Sequence, residues 1–256
     1  RLVAAQRLER GGHQLHAQQQ QPEAERVVLL LHGLGANSSP WVLQIPDLVS
    51  AGFRVLAPDT RGFGQSGYPG RTSIPLMVGD FISLLDALQI TQTNVVGISM
   101  GGTQALQIAI AHPERVHRLV LVNTFASLRP RSLKVWGYFL SRLILVHSVG
   151  LKTQASFVAQ RLFPQPEQSL LRQELIAQVC QASPAGYRAT MRALGLFDVT
   201  RNLGKICAPT LVITGDQDST VPPDVQSVLV SNISGARQVV IAGAGHAISV
   251  EKADQF

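Results

Sequence analysis

The stretch NVVGISMGG, residues 94–102, joins an apolar run to a Gly-x-Ser-x-Gly motif and leads into a helical pattern over 102–111. A serine on a tight turn between a strand and a helix is held in strained backbone geometry that exposes its hydroxyl, and the flanking glycines leave room for the helix. The motif alone is weak, because 22 glycines in 256 residues supply on the order of 0.1 chance matches. Its position between strand and helix favours Ser99 as a nucleophile over a plain turn residue.

Unbroken apolar segments recur along the chain and predict strands that are buried on both faces of a sheet. They lie at 27–31, 53–57, 94–96, 119–122 and 211–213, with 238–242 as a last strand and a hairpin around the glycine pair 11–12 at the start. Helical periods at 76–88 and 102–111 separate several of them. Strands that alternate with helices indicate an α/β fold with a mostly parallel eight-stranded sheet flanked by helices.

Residues 125–205 break this rhythm, because they contain helical runs separated by prolines and no buried strand pattern. We expect them to form a helical cap inserted into a core of residues 1–124 and 206–256. The insertion carries 11 Lys and Arg against 3 Asp and Glu, a net charge of +8, whereas the whole chain carries +6. The basic character of the chain therefore belongs to the insertion.

The composition excludes several classes of protein. Hydrophobic residues make up 45% and charged residues 15%, which excludes a disordered chain. Two cysteines without a CxxC motif exclude a disulfide framework and a zinc ribbon. The chain has no glycine-rich phosphate loop ending in lysine, and its basic residues are dispersed with few aromatics among them. Neither nucleotide-driven activity nor nucleic-acid binding is therefore expected.

A candidate acid and a candidate base follow the serine in sequence. A serine hydroxyl needs a base to act as a nucleophile, and the base needs a carboxylate that orients it. GDQD at 215–218 places Asp216 and Asp218 just past an apolar strand, where the ligand-facing residues of an open α/β sheet lie. AGAGH at 242–246 places His246 on a glycine-rich loop after the last strand. The chain thus supplies serine, aspartate and histidine in this order.

Together these motifs resemble the α/β-hydrolase superfamily with a helical cap, over nearly the whole chain. HG at 32–33 resembles the family's oxyanion loop, DTRGFGQS at 59–66 resembles the loop after the next strand, and GDQDSTVP at 215–222 resembles the acid loop. A serine nucleophile with a base and an acid needs no cofactor, and the scattered histidines, which form no HExxH motif, do not indicate a metal site. The resemblance implies that the nucleophile, the base, the acid and the two backbone donors of the oxyanion hole are, in this order, Ser99, His246, Asp218, Leu34 and Met100.

Other polar residues of these motifs have structural interpretations. His32 is expected to brace the oxyanion loop rather than act as a base. Asp216 is expected to hold the acid loop, and it is the alternative acid. Asp59 and Arg61 are expected to form a loop-stabilising pair. Some family members place the acid after the preceding strand, but here residues 122–124, VNT, offer no carboxylate.

The residue at the elbow also limits the chemistry. Family members that open epoxides or remove halogens use aspartate there, so serine favours acyl transfer through an acyl-enzyme. We therefore expect a serine hydrolase whose partner is a small-molecule carboxylic ester, including esters with an acyl chain. The alternatives are a carbon–carbon bond hydrolase, an enol-lactone hydrolase, a cofactor-free peroxidase and a slow-turnover ligand-sensing protein on the same fold. The expected location is the cytoplasm, and no sequence feature sets an oligomeric state.

The most apolar stretch of the expected cap, residues 133–149, falls short of a membrane-spanning helix. Within it, the segment 133–145 has too many apolar residues for one narrow helical stripe. The favoured interpretation is a lid helix that is buried over the active site and has a solvated basic exterior. The alternative is contact with acyl chains or with an anionic lipid surface, where each basic residue contributes about 1 kcal/mol. The basic residues that would make this contact are Arg129, Arg131, Lys134 and Arg142.

Overall fold

The structure is a computed structural model that describes residues 4–10, 12–128, 137, 140, 141, 144 and 146–256. Its strands are β1 (Ala4–Arg10), β2 (His13–Gln20), β3 (Arg26–Leu31), β4 (Phe53–Pro58), β5 (Thr93–Ile98), β6 (Val116–Val122), β7 (Thr210–Gly215) and β8 (Arg237–Ile241). They form one eight-stranded sheet in the order β1-β2-β4-β3-β5-β6-β7-β8. The β1–β2 and β2–β4 pairs are antiparallel and the other pairs are parallel. The predicted hairpin and the mostly parallel sheet are therefore confirmed.

Among the described residues, the α-helices with defined bounds are α1 (Ile45–Ser50), α2 (Ile74–Ala87), α3 (Met100–Ala111), α4 (Leu151–Leu162), α5 (Ser169–Gln181), α6 (Pro184–Leu196), α7 (Pro223–Asn232) and α8 (Ile248–Glu251). All but α8 lie between strands, and the two helices predicted from their hydrophobic period are both present as α2 and α3. Ser73 caps α2, because its hydroxyl accepts a hydrogen bond from the N–H of Leu76 at 3.3 Å. Pro75 occupies the first turn of that helix, where no backbone donor is required.

Strands β3, β4 and β7 are buried on both faces over most of their length, as their unbroken apolar runs predicted. The last strand differs from this prediction, because four of the five residues of β8 are exposed at the edge of the sheet. In β3, Leu29 and Leu31 belong to the main core, which includes residues of α2 and α3. Val28 and Leu30 belong to a second apolar cluster with Trp41. Successive side chains of a strand point to opposite faces, so five consecutive apolar residues supply both layers at once.

The helices α4, α5 and α6 lie between β6 and β7 in the chain and reach loops at the carboxyl edge of the sheet. Arg161 of α4 donates to the carbonyl of Ser219 at 2.7 Å. The N–H of Ser183, which caps α6, donates to the carbonyl of Gly62 at 2.8 Å. Among the described residues, no helix is both long enough and apolar enough to cross a membrane.

Part of the expected cap lies outside the described residues. This part includes the four basic residues named for the lipid-surface alternative and most of the segment 133–145. The lid-helix and lipid-surface interpretations therefore stay predictions. The division into a core and a cap of residues 125–205 also stays a prediction.

A buried ion pair between Arg61 and Asp80 replaces the pair that the sequence predicted. Arg61 donates from Nε and Nη2 to the two carboxylate oxygens of Asp80 at 2.7 and 2.6 Å. Asp59 instead accepts from the backbone N–H groups of Ser38 and Gln65, each at 2.8 Å. The predicted Asp59–Arg61 pair is therefore wrong, because backbone donors occupy Asp59 while the guanidinium is directed to α2.

Asp80 should be far more important for stability than a surface aspartate with a similar partner. Asp80→Asn leaves the buried Arg61 charge without a counterion, and we expect it to lower the free energy of unfolding by about 3–5 kcal/mol. The control is Asp86→Asn, which removes the exposed Asp86–Arg115 bridge of 2.8 Å, and we expect it to cost at most about 1 kcal/mol. Urea unfolding of both variants measures the difference, and equal costs would contradict the assignment.

Candidate active site

Ser99 occupies a strained turn between β5 and α3, with φ 53° and ψ −114°. Such left-handed backbone in a residue other than glycine costs about 1–3 kcal/mol and is concentrated at functional sites. A Cβ on Gly97 would lie 2.3 Å from the carbonyl oxygen of Gly101, and a Cβ on Gly101 would lie 2.0 Å from that of Leu31. Only glycine at both positions lets α3 approach the strands closely enough to make this turn.

The structure brings Ser99, His246 and Asp218 into one chain of hydrogen bonds. His246 Nε2 lies 2.9 Å from Ser99 Oγ, and His246 Nδ1 lies 2.8 Å from Asp218 Oδ2. With the proton on Nδ1, the imidazole donates to the carboxylate and accepts from the serine hydroxyl. The arrangement can remove the hydroxyl proton as Ser99 attacks a carbonyl carbon.

The two carboxylates of the acid loop have different positions. Asp218 is buried, and its Oδ1 accepts from the N–H groups of Thr220 and Val221 at 2.8 and 2.9 Å, which fixes the carboxylate toward the histidine. Asp216 is exposed, and its Oδ1 accepts from the N–H of Gly243 at 2.7 Å. Asp216 thus ties the acid loop to the histidine loop, while Asp218 contacts His246 itself.

Asn123 holds both loops together, and sequence reasoning missed it. Its Oδ1 accepts from the N–H of Gly215 at 2.8 Å, before the acid loop. Its Nδ2 donates to the carbonyls of Gly245 and His246 at 2.8 and 2.9 Å. Asn123 is fully buried, with φ 43°, at the end of β6. The sequence did offer one signal for its role: Asn123 lies in the motif VNT, at the place where some family members have the acid.

Gln226 of α7 is a second residue that sequence reasoning missed. Its side-chain amide nitrogen donates to the carbonyl of Val221 at 2.7 Å and lies 3.3 Å from Asn123 Oδ1 and 3.4 Å from Asp218 Oδ2. The residue is fully buried. It therefore adds a donor beside the Asp218 carboxylate and connects α7 to the acid loop.

Leu34 and Met100, the predicted oxyanion donors, lie on the two elements that adjoin Ser99. Met100 is the first residue of α3, so its N–H belongs to the helix end whose donors lack intrahelical acceptors and carry partial positive charge. A Cβ built on Gly33 would lie 3.6 Å from Ser99 Cβ, so the backbone just before Leu34 adjoins the serine. The role of these two N–H groups stays a prediction.

His32 is buried and linked to two loops by hydrogen bonds. Its Nε2 accepts from the N–H of Thr60 at 2.9 Å, and its Nδ1 donates to the carbonyl of Gly33 at 2.8 Å. Burial lowers the pKa of His32, and this effect exceeds the opposing effects of Asp59 and the Gly33 carbonyl. The neutral tautomer that the two bonds require is therefore favoured, and the ring braces the loop that carries Leu34.

A pocket of about 430 Å³ lies in front of Ser99 and His246. Among the described residues that line it there is one carboxylate, Glu174, and no lysine or arginine. Most of its walls are apolar side chains from the core loops and from α4, α5 and α6. The larger apolar residues are Leu34, Trp41, Val42, Leu43, Ile98, Phe125, Leu128, Val158, Leu162, Phe163, Leu171, Leu175, Leu194, Val221 and Val250.

Comparison with known proteins agrees with this geometry. Residues 26–253 match the family described as alpha/beta hydrolase fold. The chain belongs to this family. The expected fold class is thereby confirmed, and hydrolase activity is the chemistry that the family and its named members support.

Relatives with different substrates resemble the chain over most of its length. The "Putative carbamate hydrolase RutD" of Variovorax paradoxus strain S110 is 32% identical, over 94% of this chain and 92% of that protein. The 3-oxoadipate enol-lactonase 2 of Acinetobacter baylyi is 34% identical, over 91% and 87%. The crystal structure of the enol-lactonase from Burkholderia xenovorans LB400 has a TM-score of 0.87 at 30% identity and covers 95% and 94%.

Removing the Asn123 side chain should damage both stability and the site. Asn123→Ala leaves the Gly215 N–H and two carbonyls without their partner, so we expect unfolding to become easier by at least about 2 kcal/mol. The histidine loop also loses two bonds, so hydrolysis of a p-nitrophenyl ester should slow. Urea unfolding and initial rates measure both effects. The control is Asn232→Ala, because Asn232 bonds only an exposed helical carbonyl, that of Val228 at 2.8 Å; equal behaviour of the two variants would contradict this role.

Proposed function

We propose that the protein hydrolyses carboxylic esters through an acyl-enzyme on Ser99, with His246 as general base and Asp218 as the acid that orients it. The observation that carries this proposal is the continuous Asp218–His246–Ser99 hydrogen-bond chain, 2.8 and 2.9 Å long at its two links, at the wall of an apolar pocket. Membership of a hydrolase family supports it independently.

In the proposed reaction, Ser99 Oγ attacks the ester carbonyl while its proton passes to His246 Nε2. The carbonyl oxygen becomes an oxyanion between the N–H groups of Leu34 and Met100, where losing one donor costs about 3–4 kcal/mol in other hydrolases. His246 then gives its proton to the departing alcohol, which breaks the C–O bond and leaves the acyl group on Ser99. Water, deprotonated by His246, attacks the acyl carbonyl and releases the acid.

The walls of the pocket favour a neutral ester with an apolar acyl or alcohol group. Apolar side chains gain free energy by removing apolar substrate surface from water, whereas a substrate carboxylate needs a cationic or donor partner. The described lining offers no lysine or arginine, and its one carboxylate, Glu174, would repel an anion. We therefore rank neutral carboxylic esters above substrates with a free carboxylate.

Enol-lactone hydrolysis is the second candidate. It requires the same attack on an ester carbonyl and is supported by two named relatives, 34% and 30% identical to this chain. A lactone formed from a dicarboxylic acid keeps one free carboxylate, and no cationic partner for it occurs among the described lining residues. This electrostatic argument places it second.

We propose that residues 125–205 act as a cap that shapes this pocket. Val158 of α4, Leu175 of α5 and Leu194 of α6 line the cavity opposite the core loops. The substrate is therefore enclosed partly by the insertion, which explains how one triad can serve different substrates in one family. Contact of the cap with an anionic lipid surface stays a prediction, as does the cytoplasmic location.

The two acid-loop carboxylates should differ in their effect on turnover. We expect Asp218→Asn to lower kcat by on the order of 10⁴, the loss seen when asparagine replaces the orienting aspartate of a serine protease. Asp216→Asn is the matched control on the same loop, and we expect a loss below about tenfold because this side chain only accepts from a backbone N–H. Initial rates with a p-nitrophenyl ester measure both variants. Similar losses in the two would show that Asp218 is not the orienting acid.

The proposed function is tested by labelling and by a substrate panel. A fluorophosphonate should form one adduct, on the peptide that carries Ser99, and Ser99→Ala should abolish both the adduct and the hydrolysis of p-nitrophenyl acetate, butyrate and octanoate. An adduct elsewhere, or undiminished hydrolysis by Ser99→Ala, would overturn the acyl-enzyme. The panel includes 3-oxoadipate enol-lactone as the second candidate. If its kcat/KM exceeds that of every neutral ester, enol-lactone hydrolysis replaces ester hydrolysis as the function.

A further inference from the structure

The carboxylate of Glu251 accepts hydrogen bonds from both backbone neighbours of His246. Its Oε2 accepts from the N–H of Gly245 at 3.0 Å, and its Oε1 accepts from the N–H of Ala247 at 2.9 Å. Glu251 is the last residue of α8, the short helix that directly follows the histidine loop, so its side chain folds back over the start of its own helix. The two bonds hold the backbone on both sides of His246.

Gly245 leaves the space that this carboxylate occupies. A Cβ at position 245 would lie 2.7 and 3.0 Å from the two carboxylate oxygens of Glu251, and no closer heavy atom surrounds it. A real Cβ essentially never makes so short a contact, so any larger residue would displace the Glu251 side chain. The glycine of the motif AGAGH thus serves the contact with Glu251.

The surroundings of Glu251 disfavour its ionised form. Burial raises the pKa of Glu251, and the nearby Asp218 carboxylate raises it further, whereas the two backbone bonds and the charge of protonated His246 lower it. A raised pKa means that the ionised carboxylate is less favourable in the folded protein than in the unfolded chain. The negative charge itself is therefore not what stabilises the fold, and a neutral isostere should be tolerated.

We propose that Glu251 is a positioning residue for His246: it fixes the histidine loop by accepting from Gly245 and Ala247, and its negative charge favours the imidazolium that forms during turnover. The proposal rests on the proposed function, in which His246 takes the proton of Ser99. Asn123 donates to the carbonyls of Gly245 and His246, so the loop is held through its donors by Glu251 and through its acceptors by Asn123. Both sets of bonds keep Nε2 within reach of the serine hydroxyl.

The test compares Glu251→Gln, which removes the charge and one acceptor, with Glu251→Asp, which keeps the charge. In Glu251→Gln we expect kcat for p-nitrophenyl butyrate to fall about tenfold, the lower end of the loss seen when a residue that orients a metal-bound histidine is removed. KM should change little, because Glu251 lies behind the histidine loop and does not line the pocket. Glu251→Asp should recover part of the lost kcat, and the control Glu114→Gln, which changes an exposed carboxylate, should leave the kinetics unchanged.

The pH profile separates positioning from a merely structural role. Loss of the Glu251 charge disfavours the imidazolium, so the acid limb of kcat/KM should shift down by about 0.5 pH unit in Glu251→Gln. The melting temperature should change by less than about 2 °C, which is below the shift that 1 kcal/mol causes in a domain of this size. An unchanged kcat and an unchanged acid limb in folded Glu251→Gln would overturn the proposal.

Gly245→Ala is a second way to remove the contact between Glu251 and the histidine loop. A Cβ at this position pushes the carboxylate away, so Gly245→Ala should lower kcat in the same direction as Glu251→Gln. The double variant should lose about as much kcat as the more impaired of the two single variants, because both substitutions remove the same contact. Additive losses would overturn the proposal, even if one single variant folds poorly. Fluorophosphonate labelling of Ser99 in every variant distinguishes a failure of Glu251 positioning from a failure of the proposed acyl-enzyme.

Discussion

The close approach of α3 to the ends of β3 and β5 is the constraint on which the site depends. It requires glycine at 97 and 101, since a Cβ at either position would collide with backbone carbonyls. It also forces Ser99 into left-handed backbone geometry, which is stabilised by the N–H of Ser99 donating to Val122 and by Thr124 donating to the Ser99 carbonyl. The strained turn thus holds the Ser99 hydroxyl clear of the sheet and beside the N-terminus of α3.

The second constraint is that three loops must meet in front of this turn. Asn123 follows the strand next to β5, and its amide joins the end of β7 to the histidine loop after β8. An amide suits this place because it presents an acceptor to the Gly215 N–H and a donor to two carbonyls at once. A carboxylate at position 123 would place an acceptor oxygen, instead of a donor, against the carbonyls of Gly245 and His246. The chain therefore carries the amide that joins the two loops after β6, and the carboxylate that contacts His246 after β7.

The sequence allowed the sheet and the three central side chains to be predicted, because their signals are local. Apolar runs mark strands, and the motifs at 97–101, 215–218 and 242–246 lie within single loops. The braces could not be found in this way, because Asn123 acts on residues 92 to 123 positions away. The Asp59–Arg61 pair failed for the same reason: sequence proximity suggested it, while the actual partner of Arg61 lies on α2.

The two carboxylates near His246 are placed to stabilise the imidazolium of the proposed reaction. In the proposed reaction the resting imidazole of His246 is neutral and lies beside the buried carboxylate of Asp218 and the partly buried carboxylate of Glu251. Burial raises the pKa of Glu251, and repulsion from Asp218 adds to this effect. If His246 accepts the proton of Ser99 as proposed, its positive charge attracts both carboxylates. Apolar pocket walls keep the effective dielectric low once substrate excludes water, which strengthens this attraction. On the proposed mechanism, electrostatic energy that is unfavourable in the resting site is released as the transition state forms, and only such differential stabilisation raises kcat.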